Sequence, residues 1–317
     1  MTTLFILPGP LQAQDRIAEL CQAYITILNS FLPNMTSDRR TLAESATLPV
    51  AEIIVQTTLS LDLASIRRNS KIIAFAKQHN VQLAFQKNHI YRRYKRLAVF
   101  DMDSTLIQQE VIDEIARKLG VEDQVAAITT RAMNGELDFT ASLRERVALL
   151  RGTPTSIFEE LKQVITLSPG AADLVKALKQ LGYTTAVLSG GFKPLTPWLA
   201  EKLNLDYAHA NTLVLSDDGQ YLKGEVCGEI VHAEKKRDLV IEIAKTHNIP
   251  LDQVMVVGDG ANDLPMMKVA GLGIAFNAKP RVQEVAPVSL NTSSLRDILY
   301  LLGISENEQH ELLAEAP

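Results

Sequence analysis

The stretch that most constrains this 317-residue chain is Arg96 to Thr105, Arg-Leu-Ala-Val-Phe-Asp-Met-Asp-Ser-Thr. Leu97 to Phe100 is an unbroken apolar run of strand length, the pattern of a strand covered on both faces, and it ends abruptly in Asp101 and Asp103. Such strands belong to parallel sheets, and parallel sheets bind their ligands where the strands end. An isolated D-x-D is as often a solvated turn, but the pattern recurs. Thr184 to Leu188 is apolar and runs into Ser189-Gly190-Gly191, and Val254 to Val257 runs into Gly258-Asp259-Gly260-Ala261-Asn262-Asp263. Ser-Gly-Gly alone is usually only a turn. Together, the three strand ends bring four carboxylates to one sheet edge, a density of charge that calls for a cation. With oxygen donors only and no paired histidines or cysteines, that cation is a hard one, magnesium rather than zinc.

The chain in order gives a two-part organisation. Leu4 to Leu7, Val50 to Thr57 and Val81 to Phe85 read as strands, and Gln12 to Tyr24 and Leu63 to His79 as helices, a small α+β unit over residues 1–90 of ferredoxin-like or ACT-like pattern. No catalytic spacing occurs in it, so the expectation is a regulatory or dimerisation role, and hence a homodimer, against the plainer reading of a packing appendage. The basic run Gln86 to Arg96 marks the boundary, and residues 91–317 form the larger domain. After Asp103 the pattern turns helical, with apolar spacing at Val111, Ile115 and Leu119, then Val125 to Met133, Phe139 to Leu150 and Pro154 to Ile165. Thr153 before Pro154 and Ser168 before Pro169 read as helix starts. This makes a helical cap inserted at about 107–167, placed where a lid would close over the strand ends. Asn211 to Val231 reads as a hairpin turning at Asp217-Asp218-Gly219, and Ala233 to His247 as a helix carrying Lys235 and Lys236. The tail past Gly303 is polar and expected to fray. The fold class is α/β, a Rossmann-like doubly wound parallel sheet with a helical cap, plus the small amino-terminal domain.

Composition narrows the class of partner. A net charge of −5 and a pI near 5.8 argue against nucleic acid and against an anionic membrane. Cys21 and Cys227 are too few for a disulfide framework and read as reduced thiols. The run Thr2 to Pro8 lacks a basic leader and meets Pro8-Gly9-Pro10, so a signal peptide is not expected and a cytoplasmic location is. Leu20 to Ser37, the longest uncharged stretch, holds Gln22, Asn29, Pro33 and Asn34, a poor membrane span.

With these residues in view the sequence resembles haloacid dehalogenase-type phosphatases, whose four motifs are similar to Asp101 to Thr105, Ser189-Gly190-Gly191, a lysine ahead of the last catalytic strand, and Gly258 to Asp263. Glu110, Phe139 to Val147 and Ala278-Lys279-Pro280 resemble the phosphoserine phosphatase branch of that family. The resemblance spans about Leu97 to Pro287 and says little about residues 1–90. It implies magnesium-dependent hydrolysis of O-phosphoserine through an aspartyl-phosphate, the last step of serine biosynthesis. Asp101 is then the nucleophile and Asp103 the acid and base, with Lys236 (Lys235 as the fallback) and Ser189 holding phosphate. Asp101, Asp103 through its main-chain carbonyl, Asp259 and Asp263 would serve the metal. Glu110 and Arg146 would take the substrate's ammonium and carboxylate, Met133 and Phe139 would form an apolar wall, and Gly190 and Asn262 would line the substrate side. Glu110 and Arg146 are otherwise ordinary surface charges on lid helices. Two alternatives stay open: a phosphohydrolase or phosphotransferase for another small phosphomonoester, and an amino-acid sensor working through residues 1–90.

Overall fold

The computed structural model describes residues 1–7, 13–44, 48–59 and 62–314. The chain divides into two compact units, Met1–Lys95 together with Val288–Pro317, and Arg96–Pro287. The Pro8-Gly9-Pro10 segment and the expected helix start at Gln12 lie outside the described residues.

The first unit begins with β1 (Thr2–Ile6), α1 (Ala13–Asn29), β2 (Thr36–Ala43), β3 (Val50–Gln56), α2 (Leu63–Arg67), α3 (Ser70–His79) and β4 (Gln82–Gln86). The strands form an antiparallel sheet in the order β2-β3-β1-β4, the βαββαβ arrangement of ferredoxin-like folds. Alternation decides what each strand buries. Phe5, Ala51, Ile53, Val55 and Phe85 join Leu20, Tyr24 and Phe75 from the helices in one core, where the Phe5 ring meets Tyr24 at 5.5 Å and Phe75 at 6.0 Å. Two elements depart from the sequence reading. β2 had no apolar alternation to reveal it, because Thr36 to Thr41 are all exposed on the edge of the sheet, where Asp38, Arg39 and Arg40 discourage further pairing. The single helix expected over 63–79 breaks at Arg68-Asn69, where the Asn69 side chain accepts the Lys71 N–H and starts a second helix.

The second unit holds β5 (Leu97–Phe100), the cap helices α4 (Val111–Leu119), α5 (Glu122–Met133), α6 (Phe139–Ala148) and α7 (Ile157–Val164), then α8 (Ala171–Gln180), β6 (Thr184–Phe192), α9 (Thr196–Leu203), β7 (Tyr207–Leu215), β8 (Leu222–Cys227), α10 (Ala233–Thr246), β9 (Val254–Gly258), α11 (Leu264–Val269), β10 (Leu272–Phe276) and α12 (Pro280–Val285). Its strands run in the order β10-β9-β5-β6-β7-β8, parallel except for the antiparallel β7–β8 hairpin. Leu97, Val99, Leu188, Val254 and Val256 pack against Leu239, Val240 and Ile243 of α10 and Met266 and Met267 of α11. β5 lies at the centre, fully buried, so Asp101 leaves the middle of the sheet. The cap is closed at its neck by a bridge between Ile107 and Leu167. Neither Ser/Thr-Pro pair caps a helix. Pro154 bridges Tyr221 and Thr155 N–H donates to Gln220 O at 2.8 Å, so this strap follows the hairpin and α7 starts only at Ile157. Ser168 N–H is taken by Leu106 O at 2.9 Å, and α8 starts behind Gly170 at φ 75°.

The carboxyl-terminal segment, β11 (Val288–Leu290), α13 (Ile298–Leu301) and α14 (Glu306–Leu313), belongs to the first unit rather than to the larger domain expected to run to 317. Hydrogen bonding is the reason. Arg92 is buried beside Glu52 and donates through Nε to Leu301 O at 2.9 Å, Gln86 Nε2 donates to the same carbonyl at 3.0 Å, and Asn291 N–H donates to Gln82 Oε1 at 2.8 Å. The tail does not fray at Gly303: Ser305 and Glu308 form a reciprocal capping box that starts α14, and Arg93 pairs with Glu308 at 2.5 Å.

Candidate active site

Three parallel strands, β5, β6 and β9, deliver the chemistry at their carboxyl ends. Asp101 follows Phe100 directly and is 5% exposed. Its Oδ1 accepts Met102 N–H at 2.7 Å and lies 2.8 Å from Lys236 Nζ. The chain then turns through Met102–Leu106 with Ser104 at φ 52°, an uncommon conformation for a side-chain-bearing residue. Asp103 Oδ1 is buried without a hydrogen-bond partner among the described residues. Burial, with the charges of Glu110 and Asp101 beside it, holds the Asp103 carboxyl well above the usual carboxylate range.

Lys236 is completely buried and bridges Asp101 and Asp263, each at 2.8 Å. Burial alone would lower its pKa, but the two carboxylates outweigh burial and raise it. Lys235 points away and pairs with Glu229 at 2.6 Å. The helix decides between the neighbours, because Lys236 lies on the stripe of Leu239, Val240 and Ile243 that faces the core. At β9, Asp263 Oδ2 accepts Gly260 N–H at 3.1 Å, and a Cβ at Gly258 would strike the Asp263 carboxylate. Asn262 folds its side chain over Gly260, where a Cβ would meet it. At Gly258 the crowding reaches the Asp263 Cβ itself, so that position has no room for a side chain.

Asp101, Asp259 and Asp263 offer carboxylate oxygens that all lie within 4.8 Å of one another. Burial first, then Asp101, pushes Asp259 up to about 7 and Asp263 to about 8, with Glu110 adding to the first and Asp259 to the second. An all-oxygen donor set under this mutual repulsion suits a divalent cation. The carboxylate of Asp103 is not in this group.

The cap supplies a second set. Asp138 caps α6 by accepting Ala141 N–H at 2.7 Å, which sets the helix that carries Phe139 and Arg146. The Phe139 ring lies 3.2 Å from where a Cβ on Gly190 would sit, which puts this cap side chain against the serine loop. Glu110 accepts the Ser104 hydroxyl at 2.7 Å. Surrounding protein raises its carboxyl, Ser104 opposes this, and Lys279 lends positive charge. Arg146 is half-buried; burial lowers its pKa while Asp113, Glu110 and Asp103 act to raise it, so the cation faces this acidic group. Among the described residues its Nε donates to Ser142 O, within its own helix, at 3.4 Å. Met133 is 67% exposed at the end of α5, an open apolar side chain rather than a wall already packed. Ser189 is 1% exposed and its Oγ accepts Gly191 N–H at 2.9 Å.

The sequence reading missed several partners. Ser104 and Thr105 lie inside the D-x-D-S-T stretch, and their hydroxyls reach Glu110 and, at 3.4 Å, Asp259. Lys279 was visible only as part of Ala278-Lys279-Pro280. Asp113 and Asn211 carried no local signal at all.

A family model described as haloacid dehalogenase-like hydrolase matches residues 95–271. The chain is 51% identical over 219 residues to a probable phosphoserine phosphatase of Schizosaccharomyces pombe, an overlap of 69% of this chain and 74% of the relative. Among solved structures, a HAD family hydrolase from Salmonella enterica serovar Typhi superposes with a TM-score of 0.78 at 30% identity, over 95% of this chain and 99% of the other. A substrate-bound phosphoserine phosphatase superposes with a TM-score of 0.61 at 47% identity, over 65% of this chain and 98% of the other.

Proposed function

This chain belongs to the haloacid dehalogenase-like hydrolases, and on that footing we propose that it hydrolyses O-phosphoserine to serine and inorganic phosphate, the last step of serine biosynthesis, in the cytoplasm. The observation that carries the reading is the contact of buried Lys236 with both Asp101 and Asp263 at 2.8 Å, at the end of the central strand. An anion attacking a phosphate dianion is repelled by roughly 4 kcal/mol per charge pair at 4 Å and an effective dielectric of 20. A buried ammonium paired with the other oxygen of the same carboxylate offsets part of that. Asp101, the Asp103 main-chain carbonyl, Asp259 and Asp263 would hold Mg2+, which when bound supplies the remaining positive charge against the phosphate oxygens.

Asp101 Oδ2 attacks phosphorus as the bond from phosphorus to the serine oxygen breaks, giving an aspartyl-phosphate. Asp103, whose carboxyl is raised by its surroundings, gives its proton to the departing oxygen. It then takes a proton from the water that attacks the phosphoenzyme, which releases phosphate and restores Asp101. Ser189 and Lys236 hold phosphate oxygens, and Asn262 and Gly190 line the same side. Glu110 faces the substrate ammonium and Arg146 its carboxylate, a planar fork suited to bidentate contact, with Phe139 and Met133 closing over the chain between them.

The test is phosphate release from a panel of phosphorylated small molecules, with and without Mg2+, using wild type and Asp101→Asn. Phosphoserine should lead the panel, only with Mg2+, and Asp101→Asn should be inactive yet folded. Preference for a monoester lacking an amino-acid backbone would replace the substrate and keep the chemistry. Asp101→Asn activity within about tenfold of wild type would move the nucleophile elsewhere.

A further inference from the structure

β6 pairs with β7 up to Leu188 and again at Phe192, which faces Asn211, so Ser189-Gly190-Gly191 bows out of the ladder between them. The backbone groups freed there need other partners. Gly190 O accepts from Asn211 Nδ2 at 2.8 Å, and Gly191 N–H donates to Ser189 Oγ at 2.9 Å. Asn211 is 1% exposed, and its Oδ1 accepts Val231 N–H at 2.8 Å. Val231 immediately precedes His232, whose side chain caps the helix that carries Lys236. One buried amide therefore holds both the serine loop and the entry to the lysine helix.

A trans peptide points its C=O and N–H in opposite directions. Pinning Gly190 O to Asn211 consequently aims Gly191 N–H back at Ser189 Oγ. A hydroxyl that accepts this N–H has its own proton left for another acceptor. The bow also passes close to Asp103, whose Oδ2 is 3.4 Å from where a Cβ on Gly191 would sit, so the loop faces the reacting side. We propose that Asn211 is a positioning residue that orients the Ser189 hydroxyl as a donor to a phosphate oxygen and keeps it in register with Lys236. The proposal rests on the phosphomonoester chemistry above and is indifferent to which monoester is used.

The test is a double-mutant cycle of Asn211→Asp and Ser189→Ala, read as competitive inhibition by inorganic phosphate against p-nitrophenyl phosphate. Asn211→Asp keeps the shape and still accepts Val231 N–H, but sets an acceptor against the Gly190 carbonyl. Phosphate should bind about tenfold more weakly or worse, with KM rising more than kcat falls. In the Ser189→Ala background the same change should add little, because the group it positions is gone. Asn211→Ala, checked by its melting curve, should behave likewise. Full additivity, unaltered phosphate affinity, or loss of a cooperative melt in both Asn211 variants would overturn the proposal. Should wild type turn over p-nitrophenyl phosphate but not phosphoserine, a coupled cycle would still uphold the role of Asn211 while removing the substrate assigned above.

Discussion

Replacing Lys236 by methionine keeps the length of the stem and deletes a charge that has no exposure to solvent. At 2.8 Å from each of two carboxylates, the lost attraction is roughly 6 kcal/mol per pair at an effective dielectric of 20, before the solvation that the ammonium regains is set against it. Breaking a buried pair from one side nets about 3 to 5 kcal/mol, because the other charge stays behind unpaired. Here the carboxylates have an escape. Burial and the neighbouring carboxylates already push Asp263 up to about 8 and Asp259 to about 7, and without Lys236 both would rise further. An acid whose folded pKa is raised above its unfolded value takes up a proton on folding, so it weakens the fold increasingly as pH climbs from about 4 toward the folded pKa. A large loss is therefore expected at pH 8.5, a fall in Tm of about 10 °C in metal-free protein, and a much smaller one at pH 5.5. Turnover should drop at least about a thousandfold, well beyond what the fall in stability explains at an assay temperature below the melt. Melting curves at the two pH values and phosphate release decide it. An equal loss of Tm at both, or turnover within tenfold of wild type, would refute the placement of Lys236 as the counter-charge of Asp101.

Arg146→Ala should lower kcat/KM for phosphoserine by about 2 to 3 kcal/mol, roughly 30- to 150-fold, and leave aryl phosphates nearly unchanged, since they have no carboxylate to lose; an equal fall for both would reassign Arg146 to cap closure. A divalent cation must displace protons from Asp259 and Asp263, so its apparent affinity should rise between about pH 6 and 8, with proton release visible by calorimetry in buffers of different ionisation enthalpy; binding with no proton release at pH 6.5 would contradict this. Gly224 has φ +71°, and a Cβ there would lie 2.9 Å from Arg151 Cβ and 3.2 Å from Ala148 O. Gly224→Ala should thus cost about 1 to 3 kcal/mol by forcing the end of α6 off the hairpin, and an unchanged Tm would show that this seam gives way freely.

What could be read from the sequence was whatever depends on near neighbours. β5, β6 and β9 are continuous apolar runs because both faces of a central parallel strand are covered, and the polar residues that interrupt them mark the sheet edge where Asp101, Ser189 and Asp259 stand. The glycines of Gly258 to Asp263 were legible for the same reason, since what crowds them is two to five residues away in the chain. β2 escaped because an exposed edge strand has no buried face to impose alternation. Thr153-Pro154 and Ser168-Pro169 fit a helix start by local propensity and lost to hydrogen bonds with Gln220 and Leu106, residues no window around them contains. The tail past Gly303 is ordered by the Ser305–Glu308 capping box and by the pairing of Glu308 with Arg93, a partner far back in the chain that no local window contains. Asn211 makes the same point at the site: its amide matters only through Gly190 and Val231, about twenty residues away on either side. Periodicity records which face is buried, a property of each segment alone. Which acceptor satisfies which buried donor is settled only when distant segments meet, so the sequence determined the sheet, its edge and the charges along it, and tertiary structure decided the pairing of those charges and the side chains that aim them.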